Sequence, residues 1–162
     1  MHEKSIELLN QAIADELTAI HQYMYFHFRL DDLGYQPLAT LLKQTAIEEM
    51  QHAENLAERI LFLGGEVEME VADPVQKIHD AKAMLERAKA MEDESAKFYN
   101  RSALECAQNF DSGSKKIFED LVAAEERHGD AFDRQAEFIE RFGERYLALQ
   151  SFQGEGEGEA AE

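Results

Sequence analysis

Glu48-Glu49-Met50-Gln51-His52 has an echo in Glu125-Glu126-Arg127-His128. In each, a Glu is followed three residues later by a His, so on a helix the two side chains share a face. The surrounding spacing is helical. Leu38, Leu42, Thr45, Glu49, His52, Leu56, Ile60 and Leu63 recur at steps of three and four, and so do Ile117, Leu121, Glu125, His128, Phe132 and Ile139 apart from one step of seven. The polar pairs stand where core leucines are expected. Two Glu-x-x-His pairs facing inward in one bundle are the makings of a two-metal site.

The rest of the chain supplies matching helices. A first helix is predicted from Ser5, read as its N-cap, to Leu30, with the stripe Leu9, Ile13, Glu16, Ile20, Tyr23 and His27. Asp31-Asp32-Leu33-Gly34 ends it, and Pro37 suits the first turn of the second helix. Gly64-Gly65 stops that helix. The following stretch to Pro74 alternates like a strand but has no partner strand, which predicts an extended crossover. A third helix is expected from Val75 or Ile78 to Ala107, carrying Met84, Met91, Glu94 and Phe98, and a fourth to about Phe142. Glu144 to Phe152 reads as a short fifth helix. The domain is placed at residues 1–153, and the Gly-Glu segment 154–162 is expected to be a disordered acidic tail.

Position arithmetic joins these helices. In an antiparallel hairpin, residues equidistant from the turn lie level. The midpoint of Glu16 and Glu49 falls between Asp32 and Leu33, and that of Glu94 and Glu125 between Asn109 and Phe110, each inside a predicted turn. The stretch from Gly64 to Pro74 spans about 36–40 Å when extended, close to the roughly 39 Å of a 26-residue helix. It can therefore run back along the bundle. Each hairpin offers one Glu and then, 33 or 31 residues on, Glu-x-x-His, a weak internal repeat. The predicted fold is all-α: a four-helix bundle with one long crossover between helices two and three.

Composition narrows the function classes. The 162 residues carry a net charge of −18, of which four glutamates lie in the tail. Such a surface repels nucleic acid and anionic membrane and gathers cations. No stretch has the length and apolarity of a membrane span, and the N-terminus lacks a signal peptide's apolar core. A single cysteine, Cys106, fits a reducing cytoplasm. A lone Glu on a helical stripe commonly reaches solvent, and a lone His commonly packs. Six together are another matter. Glu16, Glu49, His52, Glu94, Glu125 and His128 at one height would place several unpaired carboxylates in a core, each costing several kcal/mol. No stripe Lys or Arg stands level with them. Two divalent ions, bridged by Glu49 and Glu125, would neutralise the charge, and the oxygen-rich set suits iron or manganese.

This pattern, with the phrase Glu58-Arg59-Ile60-Leu61-Phe62-Leu63, resembles the bacterioferritins of the ferritin-like superfamily over about Ile6 to Phe152. The resemblance implies a ferroxidase that oxidises Fe(II) with dioxygen or hydrogen peroxide and stores the product as mineral inside a homo-oligomeric cage, usually of twenty-four subunits. It implies Glu16, Glu94, His52 and His128 as terminal ligands and Glu49 and Glu125 as bridges. Tyr23, two turns after Glu16 on the same stripe, matches a tyrosine that can supply an electron. Met50 lies about 100° round the helix from Glu49, on an outer side shared with Ile47. The resemblance makes it the ligand of a haem b shared between two subunits, and adds a ferredoxin as reductant for iron release. His27, His79 and Cys106 carry no such role.

The chain departs from the family in places. It has no tryptophan; Ala131 stands where better-known members carry one, and Leu56 where some carry a second tyrosine. An inner-surface iron site would map to Gln44 and Glu48, with its His lost. Two other di-iron or ferritin-like readings fit the chain less well. A non-storing di-iron peroxidase of rubrerythrin type usually adds a cysteine-ligated iron module, which one cysteine cannot build. A DNA-protecting mini-ferritin conflicts with the charge.

Overall fold

A computed structural model describes residues 2–159, and apolar residues at steps of three and four fold these described residues into five helices. The helices are α1 (Glu3–Asp32), α2 (Gln36–Phe62), α3 (Ala81–Gln108), α4 (Ser112–Phe142) and α5 (Glu144–Glu159). Helices α1 and α2 form one hairpin and α3 and α4 the other. Contacts between α1 and α3 and between α2 and α4 join the hairpins, and α5 lies against α2 and α4. Among the described residues there is no strand, and no helix is long and apolar enough to cross a membrane.

The turns follow from local chemistry. Gly34 takes the left-handed conformation, φ 84°, which costs glycine least. Its neighbour Tyr35 donates its N–H to Leu30 O at 2.9 Å, closing the end of α1. Asp111 caps α4 by accepting from the backbone N–H of Ser114 at 3.1 Å. Arg59, from the end of α2, donates to Asp111 at 2.5 Å and to Ser114 Oγ at 3.0 Å. Gly113 leaves room for that guanidinium: a Cβ there would come within 2.5 Å of Arg59 Nη2 and displace it.

Three expected boundaries move. Ser5 is no N-cap; α1 already begins at Glu3, and the buried Ser5 hydroxyl points at Cys106 Sγ, 3.8 Å away. Helix α3 starts at Ala81 rather than Val75 or Ile78, with Asp80 accepting from the Ala83 N–H at 2.9 Å. The crossover is longer because side chains on α1 hold its backbone extended. Asn10 donates to Glu66 O and accepts from Glu68 N–H, both at 2.9 Å. Thr18 Oγ1 accepts from Ala72 N–H at 2.8 Å, and Gln22 bonds both the N–H and the carbonyl of Gln76. The segment thus runs alongside α1, returning the chain to the end where α2 began. At the far end, the backbone of α5 continues helically to Glu159, through part of the expected acidic tail; residues 160–162 of that tail lie outside the described residues. Gly154, Gly156 and Gly158 fall within this helix although each costs about 1 kcal/mol against alanine there.

The core divides into two apolar clusters. One holds Tyr23, Phe26, Leu42, Leu85 and Phe132; the other Leu9, Ile13, Leu56, Ile60 and Phe118. On every helix of the bundle the switch between clusters comes beside one buried carboxylate: Glu16, Glu49, Glu92 and Glu125. A polar layer therefore crosses the bundle at mid-height.

Candidate metal centre

Six side chains meet in that layer: Glu16 from α1, Glu49 and His52 from α2, Glu92 from α3, Glu125 and His128 from α4. They form two overlapping groups. Glu16, Glu49, His52 and Glu125 make one, and Glu49, Glu92, Glu125 and His128 the other, with the offered ligand atoms of each group within 4.8 Å of one another. Only Glu49 and Glu125 belong to both. That is the arrangement a pair of ions needs, two shared carboxylates between them and one Glu and one His at each end.

Glu94, an expected member, is not there. Its side chain is 69% exposed, with Arg87 Nη1 at 4.0 Å, and it lines a surface cleft with Asp15, Asp73 and Arg101. Glu92 takes its place, 1% exposed. With Glu92 in the cluster, the site has an internal symmetry. Glu16, Tyr23, Glu49 and His52 recur 76 positions later as Glu92, Tyr99, Glu125 and His128. The two hairpins thus carry the same four residues at the same spacing, and this equality was the available signal for Glu92 and Tyr99. The Met84–Met91–Phe98 periodicity of α3 pointed instead to the edge of its buried face.

The halves also cross-bond. Tyr23 donates to Glu92 Oε1 at 2.5 Å, and Tyr99 donates to Glu16 Oε1 at 2.6 Å. His52 Nδ1 lies 2.8 Å from Glu49 Oε2 and 3.5 Å from Glu125 Oε1. His128 Nδ1 lies 3.1 Å from Glu49 Oε1 and 3.7 Å from Glu92 Oε2. Its other nitrogen lies 2.8 Å from Glu48, which also accepts from Arg127. Glu48 therefore orients His128, as a carboxylate behind a metal-binding imidazole does, while Gln44 stands exposed on the surface.

The electrostatics are those of a site built for cations. Burial first, then the Glu16 charge, pushes Glu49 and Glu125 well above the usual carboxylate range. Burial lowers the basicity of His52, but the Glu125 and Glu16 carboxylates, 3.5 and 3.7 Å from its Nδ1, outweigh this and raise its pKa to about 10. Among the described residues, the ion-pair partners of Glu16, Glu49, Glu92 and Glu125 are the two histidines, with no lysine or arginine. Glu92 Oε2 and Glu125 Oε1 are buried without any hydrogen-bond partner, a cost that bound ions would remove. The residues fit two divalent ions. His52, 15% exposed at its side chain, is the member reached from a cleft of about 580 Å³ that also touches Asn55, Glu58 and Asp120.

Tyr23 is buried in the cluster. Met50 is half exposed, with Ile47 on the same outward side. His27 lies 2.7 Å from Ala39 O and His79 3.1 Å from the Tyr25 hydroxyl, both away from the cluster. Cys106 is a buried packing residue, and Leu56 is wholly buried.

A family model described as a ferritin-like domain matches residues 6–142. The bacterioferritin of Rhodobacter capsulatus is 40% identical over 147 residues, covering 90% of this chain and 91% of that one. That of Desulfovibrio desulfuricans is 38% identical over 145 residues, covering 90% and 81%. A solved R. capsulatus bacterioferritin, described with a metal-free dinuclear site and haem iron, superposes with a TM-score of 0.87 at 36% identity, covering 91% of this chain and 92% of that one. A D. desulfuricans bacterioferritin, its di-iron site described in different catalytic states, gives 0.90 at 37%, covering 91% and 86%. With its crossover bundle and carboxylate–histidine layer, the chain belongs to the ferritin-like family, among the bacterioferritins.

Proposed function

We propose that this protein oxidises Fe(II) at the mid-bundle cluster, using dioxygen or hydrogen peroxide, and deposits the Fe(III) as mineral inside a homo-oligomeric cage. Two overlapping four-residue groups sharing Glu49 and Glu125 carry the reading. Fe(II) is the substrate: Glu16 and His52 hold one ion, Glu92 and His128 the other, and the two shared carboxylates bridge them. Hard oxygen donors with one imidazole each favour iron and stabilise the ferric product. The di-iron site of the D. desulfuricans relative supports the same assignment.

For storage, the chain must assemble into a closed shell, taken as twenty-four subunits, in the cytoplasm. Met50 presents a half-exposed thioether beside Ile47. In a two-fold pair these would hold a haem between subunits, one Met from each side, as a route by which a ferredoxin reduces stored iron. A thioether is a suitable axial ligand, and an apolar outward face suits the macrocycle. The haem iron of the R. capsulatus relative supports this. The decisive experiment adds Fe(II) in air and follows ferric absorbance and solubility. Rapid oxidation, with many irons per chain held in solution, is expected. Oxidation no faster than in buffer would overturn the function.

A further inference from the structure

Tyr99 is the one hydroxyl of the metal layer with no assigned part. It is wholly buried, its ring tilted against those of Phe98 and Phe118 with centroids at 5.6 and 5.9 Å. Packing alone would be served by phenylalanine, which keeps the ring and buries no polar atom. Instead the hydroxyl lies 2.6 Å from Glu16 Oε1. Its counterpart, Tyr23, lies 2.5 Å from Glu92 Oε1 on the other half of the site. The two phenols are related by the same 76-residue offset that relates the glutamates and histidines. Each is therefore one carboxylate away from a different ion. Leu56 offers no hydroxyl, and the chain has no tryptophan, so these two phenols are the oxidisable aromatic groups hydrogen-bonded to the cluster.

Resting on the ferroxidase reading above, we propose that Tyr99 is a second redox tyrosine, which with Tyr23 lets one site reduce dioxygen fully to water. Two Fe(II) supply only two electrons, enough for peroxide. Full reduction needs four. Each phenol gives up one electron and its O–H proton, the proton passing along the hydrogen bond to Glu16 or Glu92. Two Fe(II), two phenols, one dioxygen and two solvent protons then yield two Fe(III), two tyrosyl radicals and two waters. The O–O bond breaks and four O–H bonds form. Each radical is restored by one electron from a further Fe(II) and one solvent proton.

The test mixes Fe(II)-loaded protein with dioxygen and freezes it for electron paramagnetic resonance, in wild type and in Tyr23→Phe, Tyr99→Phe and the double variant. Released peroxide is measured alongside, and Co(II) titration reports whether the site still binds metal. Wild type should show a tyrosyl signal with little peroxide. Tyr23→Phe should keep a tyrosyl signal, and Tyr99→Phe should release more peroxide. The double variant should lose the radical and accumulate peroxide while binding Co(II) in full. Loss of all radical in Tyr23→Phe alone, or a Tyr99→Phe protein matching wild type, overturns the proposal. Failure of Tyr99→Phe to bind Co(II) would reduce Tyr99 to a group that positions Glu16, and would overturn it too. Peroxide as the sole wild-type product would remove this inference and leave the ferroxidase standing. No oxidation of Fe(II) at all would remove both.

Discussion

Glu92 and Glu94 stand two positions apart on α3, about 200° round the helix from each other. One completes the metal layer and the other meets Arg87 at the surface. The sequence alone brought five of the six cluster residues together, because each sits in a clean apolar stripe. It misplaced the sixth because α3 buries a wide face, with Met84 and Met91 beside Leu85, Ala88 and Glu92. Where methionines and glutamates crowd that face, the stripe's edge cannot be drawn from spacing alone. Glu92→Ala is expected to slow initial Fe(II) oxidation by more than about 10–100-fold, the cost that even outer-shell changes at metal sites carry. Glu94→Ala should match wild type. Stopped-flow absorbance separates the two, and equal behaviour would return the assignment to Glu94. A second expectation concerns stability. Glu125 holds a buried oxygen with no partner, so without metal it destabilises the fold. Glu125→Gln should therefore raise the melting temperature of metal-free protein by a few degrees, about 1–2 kcal/mol. It should also abolish most of the stabilisation that Co(II) gives wild type. Calorimetry with and without Co(II) checks both signs.

The hairpins were legible because glycines, a proline and level carboxylates mark them. The start of α3 was not, since side chains of α1 decide it: Asn10, Thr18 and Gln22 hold the crossover extended through tertiary hydrogen bonds that leave no local signal. The start of α4 shows the same dependence on a distant element. Asp111 caps the helix and receives Arg59 from α2, so one carboxylate both ends a turn and ties the hairpins together. Burial raises its pKa, but hydrogen bonds from Ser114 and Arg59 outweigh this and hold it far below the usual 3.8. Because the folded value is depressed, the stability it contributes is present above the unfolded value and is lost as pH falls towards the folded one. Asp111→Ala is expected to cost about 2–3 kcal/mol at neutral pH, combining a lost cap with an ion pair whose Arg59 end is partly solvated. The gap from wild type should narrow as pH drops below about 4. Urea unfolding at a series of pH values measures it; a gap that stays constant to low pH would contradict the assigned role.

Viewed whole, the molecule is a bundle whose interior and exterior both contain more than a monomer needs. The carboxylate layer splits one core into two, which a free-standing bundle would replace with leucine. Outside, Phe28, Ile47, Met50, Phe142 and Leu149 remain substantially exposed on a chain of net charge −18. Apolar side chains on so acidic a surface are what the proposed assembly would cover. Met50 and Ile47, one helical turn apart, mark the face assigned to the two-fold pair and its haem. Two substitutions separate packing from ligation there. Met50→Leu keeps the volume and apolarity but removes the sulfur, so the particle should elute at wild-type size yet fail to give the absorbance of methionine-ligated haem when haem is added. Met50→Asp places a charge in the same face, and where two copies meet, two like charges oppose each other in a desolvated contact. That variant should elute as a smaller species while keeping its helical circular dichroism and, because the metal layer lies within one bundle, its Co(II) binding. A Met50→Asp protein that assembles normally would put this face on the outside of the particle, and the haem with it would have to be sought elsewhere.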